Sequence, residues 1–397
     1  MGSEATIVLT YDPRWGYTPE DHTPFWTSLD TVDYVAALLQ ETENTVLLVQ
    51  TDTSLESRLQ EIMREHAMPL VFWLNEFMPT ESGKDAFTVR VIEKLGMMHT
   101  GPGSRALGMG LDKEATKALF RRLGLPTPES YVVYPGDCSR VGQGNPWSGF
   151  AIIKPLLEGN SRGLDEFCVV AADDKQAIRR RVDQVHREFD EPALVERYIG
   201  GESEREFTVP MLISHVGGTA ELPITEIDLS RIPVAQERFR FLTNDIKDEK
   251  YYLKIPADLP ARTMEGLYSD VRRIIAQMGC RDMTRVDVRG DSTGLYYIEV
   301  NANPGKNRFS YLTTSAYHLG LEYAEVIAHI PYQAMLKYRL EPSRQLRRLV
   351  EPVEALFQAT LTSEAPKSHT LGWCTETPGE GQELQGTSPG WRYLEEC

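Results

Sequence analysis

The chain has 397 residues, of which 41% are hydrophobic and 25% are charged, ordinary values for a globular protein of two or three domains. Its 58 acidic residues outnumber its 42 basic ones and give a formal net charge of −16. That excess argues against a nucleic-acid partner, because binding a phosphate backbone needs clustered lysine and arginine. No apolar run is long enough for a membrane span, and the five cysteines show neither metal nor disulfide spacing, so we expect a cytoplasmic protein.

The N-terminal segment predicts a parallel α/β domain. "ATIVLTY", "NTVLLVQTD" and "PLVFWLNE" are short apolar runs rich in β-branched residues, as buried strands are. Between the first two, "TSLDTVDYVAALLQET" has apolar residues at helical spacing. This alternation implies a parallel sheet with helices on both sides, and ligands are expected where its strands end.

A strand that runs into a glycine-bearing loop, "GFAIIKPLLEGNSRGL", follows in the middle of the chain. Lys154 ends the strand, and a lysine that emerges from an apolar strand is rarely buried without a partner. Loops of this kind let backbone N–H groups approach phosphate closely, although the spacing is not that of a P-loop. The loop alone is a weak indication of a phosphate site.

The segment "MTRVDVRGDSTGLYYIEVN" predicts a hairpin of two alternating strands. With a register symmetric about Thr293, Asp287 faces Glu299, and Asn301 shares their face. Two close, buried carboxylates repel each other unless a cation lies between them, and oxygen ligands without His or Cys suit Mg²⁺. A solvated hairpin face is the alternative, which Arg285 on the same face makes less favourable.

The last part of the chain, residues 341–397, predicts a disordered tail. Its sequence is rich in Gly, Pro, Ser, Thr and Glu with isolated aromatic residues. Such a segment buries little apolar area for each residue that it would have to order.

The order of these elements resembles the ATP-grasp superfamily, and within it the D-alanine–D-alanine ligase-like enzymes, over roughly residues 111–330. The resemblance implies an α/β protein with the ATP-grasp fold: an N-terminal parallel α/β (pre-ATP-grasp) domain at 1–110, a small subdomain at 111–196, a large subdomain with the magnesium site at 197–340, and the tail. It implies an ADP-forming ligase that uses ATP and Mg²⁺ (one or two ions, with Mn²⁺ as substitute) on small-molecule carboxylate and amine substrates. A homodimer is compatible with it.

The resemblance also implies which residues bind the nucleotide. "LDKEATK" and "AIIKP" match the segments that carry two phosphate lysines, "EGNSRG" the phosphate-covering loop, and "LVERYIGGESEREFTV" the hinge that receives adenine and ribose. The implied nucleotide-binding residues are Lys113, Lys154, Asn160, Glu196, Arg197, Tyr198, Ile199 and Glu206, with Lys247 or Lys250 as the lysine of the family's flexible active-site segment.

At the reacting end, "RVDV" and "IEVNANPG" match the family's active-site strands. The metal ligands implied are Asp287, Glu299 and Asn301, and the catalytic residues are Arg285, Gly305 and Ser161. The Arg285 guanidinium and the Gly305 N–H would stabilise the oxyanion formed when the amine attacks an acyl phosphate.

The substrate half departs from the family pattern. "TYDPRWGYTPEDHTPFW" stands where the family has Gly-Gly and an acidic, His and Ser signature, and "WLNEFMPTESGKD" replaces its His-Gly segment. Candidate substrate residues are Ser310, Lys306 and Trp15, with ordinary packing as the alternative for Trp15. We therefore expect a ligase for substrates other than the cell-wall D-Ala-D-Ala pair, in peptide or natural-product biosynthesis. A small-molecule kinase on the same scaffold and a non-catalytic ATP-binding regulator are the alternatives.

Overall fold

The computed structural model describes residues 5–12, 29–80, 86–137, 139–159, 161–201, 203–231, 239–240 and 254–361. No helix in these ranges is long and apolar enough to cross a bilayer.

The N-terminal domain is built around a parallel sheet. In chain order its elements are β1 (Thr6–Tyr11), α1 (Leu29–Glu41), β2 (Thr45–Gln50), α2 (Leu55–Glu65), β3 (Leu70–Trp73), β4 (Phe77–Met78), β5 (Ala86–Phe87), α3 (Thr88–Lys94), β6 (Met98–His99) and α4 (Ser104–Leu111). The sheet has the order β2-β1-β3-β6, while β4 and β5 form a separate pair. Ile7, Leu9 and Phe72 are fully buried, because helices cover a parallel sheet of this kind. The predicted parallel α/β arrangement is confirmed.

A second, antiparallel sheet follows. Its elements are α5 (Lys113–Arg122), β7 (Ser130–Val133), α6 (Ser139–Gln143), β8 (Phe150–Pro155), β9 (Val169–Ala171), α7 (Lys175–Phe189) and β10 (Ala193–Arg197), and the strand order is β7-β10-β8-β9. Asp112 caps α5 by accepting the backbone N–H groups of Glu114 and Ala115, both at 3.0 Å. Lys113 therefore lies in the first turn, where its charge adds to the positive end of the helix dipole and favours an anionic ligand.

The third sheet is the largest, with the strand order β14-β13-β11-β15-β16 and β12 paired to β11. The elements of this part are β11 (Arg205–Ile213), β12 (Thr219–Glu221), β13 (Thr225–Ile227), a short 3-10 turn (Leu229–Arg231), β14 (Lys254–Pro256), α8 (Ala261–Met278), β15 (Met283–Asp291), β16 (Gly294–Asn301), α9 (Tyr311–Tyr317), α10 (Tyr323–Lys337) and α11 (Arg344–Leu361). Helix α8 buries Leu267, Val271, Ile274 and Met278 in the core beneath this sheet, at the spacing of one helix face.

The β15–β16 hairpin has the predicted facing pair, Asp287 opposite Glu299, with Arg285 opposite Asn301. Its turn is tighter than the sequence suggests, since Asp291 pairs directly with Gly294. Between Asp287 and Val288 the register shifts, because β16 carries one extra residue there, as in a β-bulge. This extra residue offsets the tighter turn. The two carboxylates therefore still face each other.

The prediction of a disordered tail at 341–397 is wrong for residues 344–361, which form α11. Leu346, Val350, Val353 and Phe357 are buried at helical spacing and pack with α10 in one apolar cluster. The composition of residues 341–397 as a whole does not show this helical period, because the polar sequence after the helix dominates it. Residues 362–397 lie outside the described part of the chain.

Helix α11 should contribute to stability through Phe357, whose ring stacks on His329 with centroids 5.5 Å apart. We expect Phe357→Ala to lower the free energy of unfolding by about 3 kcal/mol, since it leaves a cavity in a packed core. Arg348→Ala, at an exposed position of the same helix, should change it by less than about 0.5 kcal/mol. Urea unfolding measures both, and equal effects would mean that α11 does not pack as described.

Candidate active site

A cleft with an empty volume of about 990 Å³, open to solvent, lies between the second and third sheets. Of the predicted site residues, it brings together Lys113, Lys154, Ser161, Glu196, Tyr198, Ile199, Glu206, Arg285, Asp287 and Glu299. Residues on its wall that the sequence reasoning missed include Arg162, Thr208, Arg289 and Tyr311. Trp15, Asn160, Lys247 and Lys250 lie outside the described residues.

Glu196 sits between two lysines at one side of the cleft. Its two carboxylate oxygens lie 2.9 Å from Lys154 Nζ and 2.6 Å from Lys117 Nζ. Burial alone would raise the pKa of Glu196, but the charges of Lys117 and Lys154 lower it to about 2. The sequence reasoning missed Lys117, which is fully buried one turn after Lys113 on α5; that i, i+4 spacing was the available signal.

Lys113 is held by the loop that follows β8. Its Nζ donates to the carbonyl of Leu156 at 3.2 Å and to that of Glu158. Burial, together with the nearby charge of Lys154, lowers the pKa of Lys113 to about 8. In the same loop, Ser161 has a positive φ of 62°, an uncommon conformation for a residue other than glycine.

Asp287 and Glu299 form the candidate metal centre. Asp287 accepts a hydrogen bond from Thr208 at 2.8 Å and pairs with Arg285, whose Nη1 lies 2.5 Å from Oδ1. Asn301 Nδ2 lies 3.2 Å from Asp287 and 3.4 Å from Glu299. Burial raises the pKa of Asp287 to about 7; Arg285 opposes the rise and the Glu299 charge adds to it. Two carboxylates that repel in this way, with an amide beside them, are a donor set that suits Mg²⁺.

The cleft wall holds a further buried cation, Arg289. It is paired with Glu206 across β11 and β15, and its Nη1 lies 3.6 Å from the Glu206 carboxylate. Its Nη2 donates to Glu204 and to the Tyr198 hydroxyl, both at 3.1 Å. Alternation along β15 places residues 285, 287 and 289 on one face, so the sequence could have identified Arg289.

In the predicted hinge, two backbone N–H groups donate hydrogen bonds to other parts of the protein. The Arg197 N–H donates to the Glu129 carbonyl at 2.8 Å, and the Tyr198 N–H donates to the Phe150 carbonyl at 3.0 Å. The Arg197 side chain stacks on Tyr296 instead of lining the cleft. Of the three hinge residues, Tyr198 and Ile199 reach the cleft wall.

Ser310 and Tyr311 lie at the start of α9, and only Tyr311 is among the described residues that line the cleft. Ser310 Oγ caps α9 by accepting the Thr313 N–H at 3.2 Å. The Tyr311 ring lies between two cations, with its centroid 4.7 Å from Arg285 Cζ and 4.5 Å from Lys254 Nζ.

Gly305 and Lys306 lie in the loop after β16. The fold leaves room for a side chain at Gly305, since an added Cβ would meet its nearest neighbours at 3.8 Å. Lys306 is only 3% exposed and is not among the described residues that line the cleft.

Comparison with known proteins matches the family model for the D-ala D-ala ligase C-terminus to residues 119–331, more than half of the chain. D-alanine–D-alanine ligase from Chromohalobacter salexigens is 30% identical over 262 residues, 64% of this chain and 74% of that protein. The enzyme of the same name from Rhizobium meliloti is 26% identical over 250 residues, 62% of this chain and 75% of the relative.

Among solved structures, D-alanine–D-alanine ligase from Bacillus anthracis complexed with ATP superposes with a TM-score of 0.62 at 19% identity, covering 85% of this chain and 99% of that one. D-alanyl-alanine synthetase A from Vibrio cholerae gives 0.61 at 18% identity, covering 84% and 100%. These likenesses confirm the ATP-grasp fold. With the family match, they mean that the chain belongs to the D-alanine–D-alanine ligase family of ATP-grasp enzymes, ADP-forming ligases that make C–N bonds.

Proposed function

We propose that this ligase joins the carboxylate of one amino acid to the amine of a second through an acyl phosphate. The observation that carries the proposal is the row of functional groups along one face of the third sheet. Glu206 pairs with Arg289, Thr208 with Asp287, and Arg285 with Asn301 across neighbouring strands. This order leads from a diol-binding carboxylate, past two metal-binding carboxylates, to the cation that an oxyanion needs.

Different residues along the cleft have different roles in this reaction. Lys113 and Lys154 bind the phosphates, and Glu206 holds the ribose hydroxyls. Asp287, Glu299 and Asn301 would hold Mg²⁺, as one or two ions with Mn²⁺ as substitute, and the metal neutralises phosphate charge when bound. Arg285 and the Gly305 N–H stabilise the oxyanion, while the loop at Ser161 excludes water from the acyl phosphate.

D-alanine is the first candidate for both substrates, because the relatives are named for it. The sequence-based expectation of different substrates gains no support from the comparisons. The departures after β1 and β3 still motivate testing other amino acids. Ser310 is proposed to hold the carboxylate of the amine substrate. A cytoplasmic location and a homodimer stay predictions.

The proposal is tested by incubating the full chain with ATP, Mg²⁺ and D-alanine, and then with pairs from an amino-acid panel. We expect ADP, free phosphate and a dipeptide, detected by mass, in equal amounts. A stable phosphorylated product would instead identify a kinase, and nucleotide binding without turnover on every pair would identify a regulator.

Glu299→Gln should lower kcat by about a hundredfold or more, because it removes a metal-binding charge without changing the size of the side chain. It should also weaken the dependence of ATP binding on Mg²⁺, measured by calorimetry at several Mg²⁺ concentrations. Glu221→Gln, at the ion pair with Arg272 on β12, is the matched control and should keep wild-type rates. Near-normal kcat in Glu299→Gln would contradict the metal assignment.

Glu196 orients the two lysines on its side of the cleft, and its low pKa links this role to stability. Since its folded pKa of about 2 lies below the ordinary value of 4.5, its contribution is present above pH 4.5 and lost as the pH falls toward 2.

We expect Glu196→Gln to lower the free energy of unfolding at pH 7 by about 3 kcal/mol. The difference in free energy of unfolding between Glu196→Gln and the wild type should become smaller as the pH falls from 4.5 toward 2. Denaturant unfolding at several pH values measures it, with the exposed Glu188→Gln as control. A gap that does not change with pH would show that the ion pairs are not its source.

A further inference from the structure

Arg289 is a buried cation in the cleft wall to which the proposed reaction assigns no role. It is 9% exposed, and it shares this wall with apolar side chains, among them Ile152, Ile199 and Ile298. An arginine in such surroundings loses its hydration, which is unfavourable unless polar groups of the protein replace the water. The groups around Arg289 therefore indicate what its charge does.

The Nη2 group of Arg289 makes the hydrogen bonds that hold the guanidinium in place. It donates to Glu204 Oε2 and to the Tyr198 hydroxyl, both at 3.1 Å, and to the Arg240 carbonyl. The Tyr198 ring lies against the guanidinium as well, with its centroid 5.0 Å from Cζ. These partners belong to three separate parts of the chain, which together set the position of the guanidinium.

The Nη1 group of the same guanidinium lies near Glu206. The two residues face each other directly across β11 and β15, and Nη1 is 3.6 Å from Glu206 Oε2. That distance is within the range of an ion pair but is too long for a hydrogen bond. The contact therefore places a positive charge beside the carboxylate without using the hydrogen-bonding capacity of its oxygens.

The two carboxylates beside Arg289 differ in exposure. The Glu204 side chain is only 3% exposed, and its second oxygen lies 3.8 Å from Arg240 Nη1. The Glu206 side chain is 23% exposed and lines the cleft. Glu204 is thus the buried acceptor that holds Arg289, while Glu206 is the acceptor that a ligand in the cleft can reach.

We propose that Arg289 is a positioning residue for Glu206 and, through it, makes the cleft selective for a ribonucleotide over a 2′-deoxyribonucleotide. This role rests on the proposed function, in which Glu206 accepts the ribose hydroxyls. The charge of Arg289 holds the carboxylate in one direction along the cleft, and Arg289 itself does not touch the sugar. Hydrogen bonds to a charged acceptor are about twice as strong as those between neutral groups, so the direction of this carboxylate affects how strongly a 2′-hydroxyl is recognised.

The test measures how strongly the full chain prefers ATP to 2′-deoxyATP. Both dissociation constants are measured by calorimetry with Mg²⁺ and without an amino acid, so that no ligation occurs. We expect the wild type to bind ATP about tenfold to a hundredfold more tightly. Glu206→Gln and Arg289→Met should each lower this preference by about threefold to tenfold, because the first removes the charged acceptor and the second releases it. A wild type that binds both nucleotides equally would overturn the proposal.

The double variant shows whether Arg289 acts through Glu206. In the Glu206→Gln background, Arg289→Met should change the preference by less than about twofold, since the carboxylate that it would position is gone. A loss by the same factor in both backgrounds would overturn the proposal, as would a wild-type preference that survives in Arg289→Met.

Glu204→Gln and Arg272→Met are the matched controls. Glu204→Gln changes the other carboxylate in contact with Arg289 but keeps an acceptor oxygen there. Arg272→Met makes the same chemical change at the ion pair with Glu221, and neither of these two residues is among the described ones that line the cleft. Both variants should keep the preference within about twofold. A loss in Glu204→Gln as large as in Arg289→Met would overturn the proposal, because the cluster as a whole would then set the preference.

The stability of Arg289→Met is a separate matter, because this substitution takes a hydrogen-bonded cation away from the buried carboxylate of Glu204. If Arg289→Met does not fold, the cycle is measured in the Glu204→Gln background, where that buried charge is gone and the same outcomes are expected.

Binding without ligation separates this inference from the proposed function. ATP binding with an equal preference in every variant would overturn the role of Arg289 alone. Normal nucleotide selectivity without amide formation on any pair of amino acids would contradict the proposed ligation and leave the role of Arg289 standing. A wild type that binds neither nucleotide would contradict both.

Discussion

The pairing of β15 with its two neighbours is the constraint on which the active site depends. A strand sends alternate side chains to opposite faces, so Arg285 and Asp287 face the cleft while Val286 and Val288 lie in the core. A slip of one residue would turn the charged pair into the apolar core and the valines toward water. Hydrophobic burial therefore determines the register, and the register determines which charged side chains face the cleft.

The charged side chains of the cleft are paired in small groups. The single carboxylate of Glu196 forms ion pairs with two lysines, which leaves a net positive charge there, and Asp287 pairs with Arg285. A buried charge without a partner is very unfavourable, so these contacts are needed for folding as well as for function. They also hold the cations in fixed directions, which spares the reaction the cost of reorienting them.

Local alternation explains why the sequence predicted which residues of the β15–β16 hairpin face each other. Asp287, Glu299 and Arg285 lie within fifteen residues of one another, and a hairpin brings such residues together by its pleat alone. Even there the sequence did not predict the tight turn or the bulge. The two shift the register in opposite directions, so Asp287 faces Glu299 with or without them. Helix α11 is a different case: its apolar residues recur at helical spacing, but the polar sequence after Leu361 dominates the composition of residues 341–397.

Contacts between the N-terminal domain and the loop after β16 are the ones that the sequence indicates least. Lys306 Nζ lies 5.2 Å from the ring centroid of Trp73, yet the two residues are distant in sequence, and no spacing rule joins the end of β3 to the loop after β16. This contact depends on how the N-terminal domain packs against the third sheet, which is a tertiary property.

The glycines of the chain show what remains to be explained at the reacting centre. At Gly163, φ is +75° and a Cβ would lie 2.6 Å from Pro155; at Gly110, a Cβ would lie 2.9 Å from the Val300 carbonyl. The fold itself demands glycine at both positions. At Gly305 the fold makes no such demand, since an added Cβ would meet its nearest neighbours at 3.8 Å, an ordinary van der Waals contact, and φ is not positive. A requirement for glycine there must come from outside the chain, and close approach of a reacting carbonyl to the backbone N–H is a requirement of that kind.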